Sequence, residues 1–469
     1  MTDDARFEAA RRHFLDGVAL LEAGRPAEAE AALRASLALL PGRPSSLTNL
    51  GAALLDQARP AEAIEPLEAA LRTDPANLEA RCLLAAALTA LDRFDDALAA
   101  YDQALKVAPG HQPARFHRAA LLARLQRHEA ALAGLQPLLD PQDAGSAPAH
   151  RLAGQTCQAL GRNAEAEAAY RLALRHDPRL PRVHALLGQL LAQRGATAEA
   201  AALHRQAIEA EVEPALNRYL LAGLAGLAGP GTTAATTAAG TAPADEAPPR
   251  SPDEYVRALF DPYAEDFEQH LVQTLRYRGH ALVAEAALRA LADSGRSRFE
   301  QVLDLGCGTG LCGRLLAPHA GRITGIDLSP TMVALAHRSG AYQQVTEAEV
   351  LAWLAANTAP HDLVVAADVF IYIGELDALF ADLARTQPPG GLVVATVETG
   401  DRALAGPSTS DGPSWWLQPS LRYAHRRAYV EHLAARHGYR LLAWQPAVIR
   451  EDQRQPIHGA VLSLRRLGG

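Results

Sequence analysis

The sequence is poor in the residues that mark secreted, membrane-spanning or nucleic-acid-coating proteins. Its 469 residues include four cysteines, Cys82, Cys157, Cys307 and Cys312, too few and too scattered for a secreted disulfide framework. Only Cys307 and Cys312 lie close together. Their C-x4-C spacing, with no second His or Cys pair, is a poor zinc signal, and no metal is expected. Lysine occurs once, at Lys106, so arginine supplies nearly all of the 45 basic residues; 53 acidic residues leave a formal net charge of −8. That balance, without a basic stripe, argues against nucleic acid as a partner. No apolar run approaches the roughly 18 residues of a membrane span, and "MTDDARFEAARRHF" lacks the apolar core of a secretion signal. A cytoplasmic protein with no membrane partner is expected.

What is present begins with a repeat. Pro41, Pro75 and Pro109 are spaced by 34 residues, each closing a helical segment. Twelve positions earlier stand Ala29, Ala63 and Ala97, and twelve earlier again Gly17, Gly51 and Ala85. The same grid set on Pro178 gives Gly154, Ala166, Tyr170 and Ala173, and one step further Gly188, Ala200 and Ala207. Between them Ala119 and Ala131 mark a degenerate unit whose proline, Pro141, comes early. The pattern resembles the tetratricopeptide repeat: two antiparallel helices per unit, with small residues where they cross. In "NLGAALLDQARPAEAIEPLEAAL", Gly51 and Ala63 allow that approach while Leu50, Leu54 and Leu67 fill the seam. About six such units, stacked in a superhelix, bury a shared core and leave a groove for a protein or peptide partner.

Composition then divides the chain. Residues 1–227 read as the repeat array. Residues 228–252, rich in Gly, Thr, Ala and Pro without apolar periodicity, read as a flexible linker. From 253 to 469 apolar strands alternate with helices: "FEQVLDL", "RITGIDLS", "HDLVVAAD" and "LVVATVE", then a helix through "YVEHLAARHG" and the strands "YRLLAWQPAVI" and "GAVLSLRR". Such alternation describes an open doubly wound sheet.

The stretch "VLDLGCGTGLCG" follows the first of these strands. Gly308, Gly310 and Gly313 fit the dinucleotide fingerprint G-x-G-x-x-G, with Asp327 at a suitable distance. Asp304, Gly306, Gly308 and Gly310 equally fit D-x-G-x-G-x-G, the loop of class I S-adenosylmethionine (SAM) methyltransferases. Electrostatics separates them. Asp304 beside the helix start would repel a pyrophosphate, whereas the ammonium and sulfonium of SAM suit a carboxylate neighbour. Glycines then let the ligand lie against bare backbone.

The segments "YVRALFDPYAEDFEQHLVQTLRYRG", "LDLGCGTGLCG", "GIDLSPTM", "AADVFIYIGEL" and "RYAHRRAYV" resemble a bacterial family of methyltransferases that carry N-terminal tetratricopeptide repeats. The likeness spans residues 253–466 and matches the repeats in kind. It implies a two-module fold: an all-α tetratricopeptide superhelix, then an α/β Rossmann-like class I methyltransferase domain, a doubly wound sheet with an antiparallel last strand. It implies SAM as cofactor and leaves the acceptor open. For cofactor binding it points to Asp304, Gly306, Gly308, Gly310, Asp327 and Leu328, the last flanking the adenine. Asp368 ends the fourth strand, and Tyr263 with Phe267 would cover the methionine end. Such enzymes usually place an acidic residue after the third strand; here Glu349 or Glu347 must take that place.

Methyl transfer is mainly alignment in a site closed to water. Where a base is needed, His425 is the candidate, since an imidazole titrates near neutrality. Arg422 and Tyr423 would grip an anionic or carbonyl group, Tyr372 would line the pocket, and Trp415 with Trp416 would form a lid. For "RYAH" the alternative is a cap and anchor for the last helix. No N/D-P-P-Y motif follows the fourth strand, which argues against base methylation. The expected function is methylation of a protein or peptide recruited by the repeats. A small-metabolite methyltransferase using the repeats for assembly, and a non-catalytic SAM-sensing scaffold, are the alternatives. Oligomeric state is not legible.

Overall fold

Prolines set where the first helices start and stop. The computed structural model describes residues 2–140, 142, 144–225, 247–260, 276–400, 414–452 and 455–468. The chain packs as two units, Met1–Leu190 and Leu191–Gly469. The first holds antiparallel helix pairs: α1 (Asp3–Glu22) with α2 (Pro26–Leu39), α3 (Pro44–Asp56) with α4 (Pro60–Thr73), and α5 (Leu78–Ala90) with α6 (Phe94–Val107). Next come α7 (Gln112–Arg124) with α8 (His128–Leu135), then α9 (Ala147–Ala159) with α10 (Asn163–His176). Pro26, Pro44 and Pro60 stand at the first helical position, where a missing N–H removes no helical bond. Helices α2, α4, α6 and α10 all end just ahead of Pro41, Pro75, Pro109 and Pro178, because a residue before proline is driven out of the helical region.

The small residues do what their spacing implies. Ala29, Ala63, Ala97 and Ala166 are fully buried. The bare face of Gly51 is covered by Leu67, and a Cβ on Gly154 would come within 2.5 Å of the Tyr170 ring. In the degenerate unit α8 is cut short and runs into a 3-10 turn at Gln136–Leu138 before Pro141.

The boundary falls within helix α11 (Val183–Gln193), and α12 (Thr197–Glu209) with α13 (Pro214–Ala225) belongs to the second unit. Helix α13 is fastened there by Tyr219, which is buried against Leu417 and Tyr423. The Tyr219 hydroxyl donates to the Leu421 carbonyl and accepts from Ser251 Oγ at 2.8 Å. Part of the expected linker, 226–246, lies outside the described residues. Its end, 247–252, is ordered on the same unit. The Pro249 carbonyl accepts from Gly374 N at 2.7 Å, Ser251 N donates to the Tyr372 carbonyl at 2.8 Å, and the Tyr423 hydroxyl donates to the Pro248 carbonyl at 2.5 Å.

The rest of this unit is a nine-stranded sheet. Its strands are β1 (Phe299–Leu305), β2 (Ala320–Asp327), β3 (Gln344–Glu347), β4 (Leu363–Ala366), β5 (Leu392–Glu398), β6 (Trp415–Leu417), β7 (Tyr423–His425), β8 (Tyr439–Asp452) and β9 (Gln455–Arg466). Strands β3, β2, β1, β4 and β5 run parallel in that order. Strand β9 pairs antiparallel with β5, and β8 with β9. The antiparallel finish expected from the sequence is therefore present. Helices α14 (Asp253–Phe260), α15 (Gly279–Asp293), α16 (Leu311–Leu316), α17 (Pro330–Arg338), α18 (Val350–Ala356), α19 (Asp377–Thr386) and α20 (Arg427–Arg436) complete the unit. Successive side chains of β1 enter opposite layers: Leu303 packs with Phe370, Phe380 and Leu433, while Val302 packs with Val283, Ala287 and Leu316.

One element departs from the sequence reading. "RYAH" does not cap the last helix. Tyr423–His425 form β7, which pairs with β6 along Trp415–Leu417 and touches the end of β5 at Glu398–Ala424. Three-residue strands carry too little alternation to be read.

Candidate functional site

A cavity of about 460 Å³ opens at the C-terminal ends of β1, β2 and β4, on either side of the point where strand order reverses. That is where open α/β sheets place their ligands. Its floor is the glycine loop. Gly306, Gly308 and Gly310 have φ of +60°, +54° and +90°, a left-handed run that only glycine adopts without strain. Gly310 leads directly into α16.

Asp327, at the end of β2, braces that loop. Its Oδ2 accepts from Gly308 N at 2.8 Å and its Oδ1 from Ser329 N at 2.9 Å. Asp304 ends beneath the loop, 1% exposed. The Tyr342 hydroxyl donates to its Oδ2 at 2.7 Å, and burial pushes the Asp304 carboxyl up to about 7. Tyr342 also explains two glycines: its ring fills the space that a side chain on Gly313 or Gly325 would need. Gly313, the last position of the dinucleotide fingerprint, is thus accounted for by packing.

One side of the cavity is partly apolar, with Leu328, Met332 and Val350 on the wall. Glu349 reaches this wall but both oxygens are engaged. They accept from Leu351 N and Ala352 N at 3.0 and 2.8 Å, capping α18, and Oε1 pairs with Arg250 at 3.0 Å. Glu347 stands outside the lining, 3.6 Å from Arg257. Tyr263 and Phe267 lie outside the described residues.

Asp368 follows β4 with φ of +59°, a conformation that costs a non-glycine residue on the order of 1 kcal/mol or more. Its place is held by Thr396, whose hydroxyl donates to Oδ1 at 3.0 Å and accepts from Asp368 N at 2.7 Å. Arg450 Nη1 donates to Oδ2 at 2.7 Å, and Arg450 Nη2 bonds Glu398. Gln418 Nε2 holds the other Glu398 oxygen at 2.6 Å. Arg450 and Glu398 are both buried. The sequence reading missed this cluster, although a charge inside each of two apolar strands, "AVIRED" and "LVVATVE", was the available signal.

Of the residues expected to act on the acceptor, two meet the cavity. Tyr372 and Arg422 line it together, and Arg422 adjoins the Tyr372 phenol. His425 and Tyr423 do not reach it. Tyr423 is buried with its hydroxyl on Pro248. His425 is fully buried, and its Nε2 faces the Ile373 and Gly374 carbonyls at 2.9 and 3.1 Å. Burial pulls its pKa down to about 4. A neutral imidazole tied to two carbonyls is an anchor between β7 and the turn after β4, so the placement as a base is corrected to that of a strut. The imidazole that does line the cavity is His280, beside Tyr277 with ring centroids 5.3 Å apart. Trp415 packs edge-on to Tyr423 rather than over the cavity. No cluster of metal-ligating side chains occurs among the described residues.

Comparison with known proteins agrees with this geometry. A methyltransferase-domain model matches residues 302–391, and tetratricopeptide-repeat models match 82–147 and 152–213. The malonyl-[acyl-carrier protein] O-methyltransferase of Serratia marcescens is 29% identical over 114 residues, 24% of this chain and 44% of that protein. The demethylmenaquinone methyltransferase of Tropheryma whipplei (strain Twist) is 27% identical over 154 residues, 32% of this chain and 62% of that protein. The chain thus spans about half the length of the curated relatives it matches. The solved magnesium protoporphyrin IX methyltransferase from Synechocystis PCC 6803, with bound SAH, is 18% identical over 46% of this chain and all of that one, with a TM-score of 0.36. Sheet, glycine loop and family match together define a class I methyltransferase domain. It is an S-adenosylmethionine-dependent domain, and the chain joins it to tetratricopeptide repeats.

Proposed function

We propose that the protein is a cytoplasmic enzyme that transfers a methyl group from SAM to a protein or peptide recruited by its repeats. The chain's own residues suit the cofactor. In this reading Asp327, at the end of β2, serves the ribose hydroxyls, Leu328 and Met332 offer an apolar wall to the adenine, and Asp304, beneath the glycine loop, is the carboxylate for an ammonium. The side-chain-free stretch at Gly306, Gly308 and Gly310 admits close approach. When bound, SAM supplies an activated methyl on a positively charged sulfur. The protein's part is to fix its two ends, keep water out and orient the acceptor.

The observation that carries a protein acceptor is the bond from Tyr219 to Leu421. Tyr219 lies on the helix that follows the last matched repeat, and the residue after Leu421 is Arg422, on the cavity wall. The polypeptide leaving the array is therefore fastened one residue from the cavity wall, which supports a recruited acceptor. No helix among the described residues is long and apolar enough to cross a membrane.

The test uses full-length protein, methyl-tritiated SAM and a cell extract depleted of this protein, with products separated by size. Label on a discrete polypeptide, absent with Asp327→Ala, is expected. Label confined to small molecules would move the reading to a metabolite. Absence of label while SAH still binds would overturn the enzymatic reading.

A further inference from the structure

We propose that the acceptor group is an ionised carboxylate, gripped by Arg422 beside Tyr372 and methylated on oxygen. This rests on the methyltransferase reading above and names the chemistry of its acceptor.

The first argument is a charge inventory of the cavity wall. Arg250 is paired with Asp253 at 3.3 Å and Glu349 at 3.0 Å. Arg450 is paired with both Asp368 and Glu398. Arg422 alone among the lining arginines has no carboxylate within ion-pair distance among the described residues. Asp368 and Glu398 lie close enough to be felt by it, but Arg450 holds them. A guanidinium cannot shed its proton, and one half-buried on a cavity wall with no carboxylate in ion-pair contact is a ready partner for an incoming one. An incoming carboxylate answers that geometry with two parallel N–H···O bonds.

The second argument is the lack of a base where the acceptor would sit. An amine or alcohol must lose a proton during methylation. The Tyr372 phenol is held protonated by burial, Asp368 and Glu398 are locked on Arg450, and His425 is outside the cavity. His280, an imidazole on the wall, sits beside Tyr277, and a carboxylate acceptor needs no proton moved to or from it. An ionised carboxylate brings its own lone pair: one oxygen bonds the methyl carbon as the carbon–sulfur bond breaks. The electron pair of that bond stays on sulfur, which becomes a neutral thioether. A methyl ester is formed and no proton moves.

The labelling reaction tests this by the chemistry of the label. Full-length protein labels the depleted extract with methyl-tritiated SAM, and each size fraction is treated with mild alkali. Ester label is released as volatile tritiated methanol, and that release is expected. In the polypeptide fraction it identifies a protein carboxylate, in the small-molecule fraction a metabolite carboxylate. Arg422→Gln should cut labelling by about 10- to 100-fold, as loss of a charged hydrogen-bond partner does. SAH affinity by calorimetry should stay within about twofold, which also reports that the variant is folded. Alkali-stable label would overturn the proposal and leave the methyltransferase reading standing. So would an Arg422→Gln protein that labels like wild type, or one that loses SAH affinity, since Arg422 would then serve the cofactor. No label from wild type would sink the methyltransferase reading itself.

Discussion

The Tyr342 hydroxyl sits 2.7 Å from Oδ2 of Asp304 and is the hydrogen bond that stabilises a carboxylate otherwise shielded from water. Burial still dominates, with the charge of Asp327 adding to it, and the folded-state pKa lies near 7. Asp304 is therefore poised to ionise when a cation arrives.

That poise sets a pH dependence. An aspartate titrates at about 3.9 in the unfolded chain, so between there and 7 the native state holds the extra proton. Stability from this group is full below about pH 4, falls as pH rises to 7, and levels off beyond. Denaturant unfolding across this range should show the fall in wild type and its absence in Asp304→Asn. Binding of SAH at pH 6 should release a proton, seen as a buffer-dependent heat; a heat independent of buffer would contradict it. Tyr342→Phe should cost about 1–3 kcal/mol and move the release to higher pH.

His425 titrates in the opposite sense. Its folded pKa of about 4 lies below the unfolded value of about 6.5, so the native state binds fewer protons. Its stabilisation is present above pH 6.5 and is lost as pH falls toward 4. His425→Gln should remove that dependence and lower the unfolding free energy by about 1–3 kcal/mol, through the carbonyls left facing it. Methylation, once an acceptor is known, should keep the shape of its pH profile. A lost limb near pH 6.5 would restore His425 as a base.

Arg450 holds two carboxylates. Arg450→Met should leave Asp368 and Glu398 uncompensated and cost about 3–5 kcal/mol. Adding Glu398→Gln should recover part of that loss. Chemical denaturation of the single and double variants checks it; additive losses would mean that the charges do not interact.

Tyr219 makes a prediction about truncation. A chain beginning at residue 228 loses α13 and uncovers Leu417 and Tyr423. It should melt lower and bind a hydrophobic dye more strongly than one beginning at 197. Equal melting of the two would refute the packing role. Tyr219→Phe in the full chain should cost about 1–3 kcal/mol.

Much of the fold was legible because its signals are periodic or local. Pro41, Pro75 and Pro109 repeat on a fixed grid, and β5 (LVVATVE) is a mostly apolar run set off by the Pro388–Gly391 turn before it. The glycine loop was legible for the same reason: Asp304, Gly306, Gly308 and Gly310 occupy one turn. The acceptor side was not. Arg450 meets Asp368 across 82 positions of chain and Tyr342 meets Asp304 across 38, and no window of sequence displays such pairs. His425 misled because its residue type suggests chemistry, while its burial, which decides its state, is a property of the packed sheet.

The two ends of the stretch from 226 to 246 are both moored to the same body, by Tyr219 on one side and by Pro248, Pro249 and Ser251 on the other. Both moorings converge on Tyr423 and its neighbours, so a substitution at either end bears on the same packing around Leu417 and Tyr423.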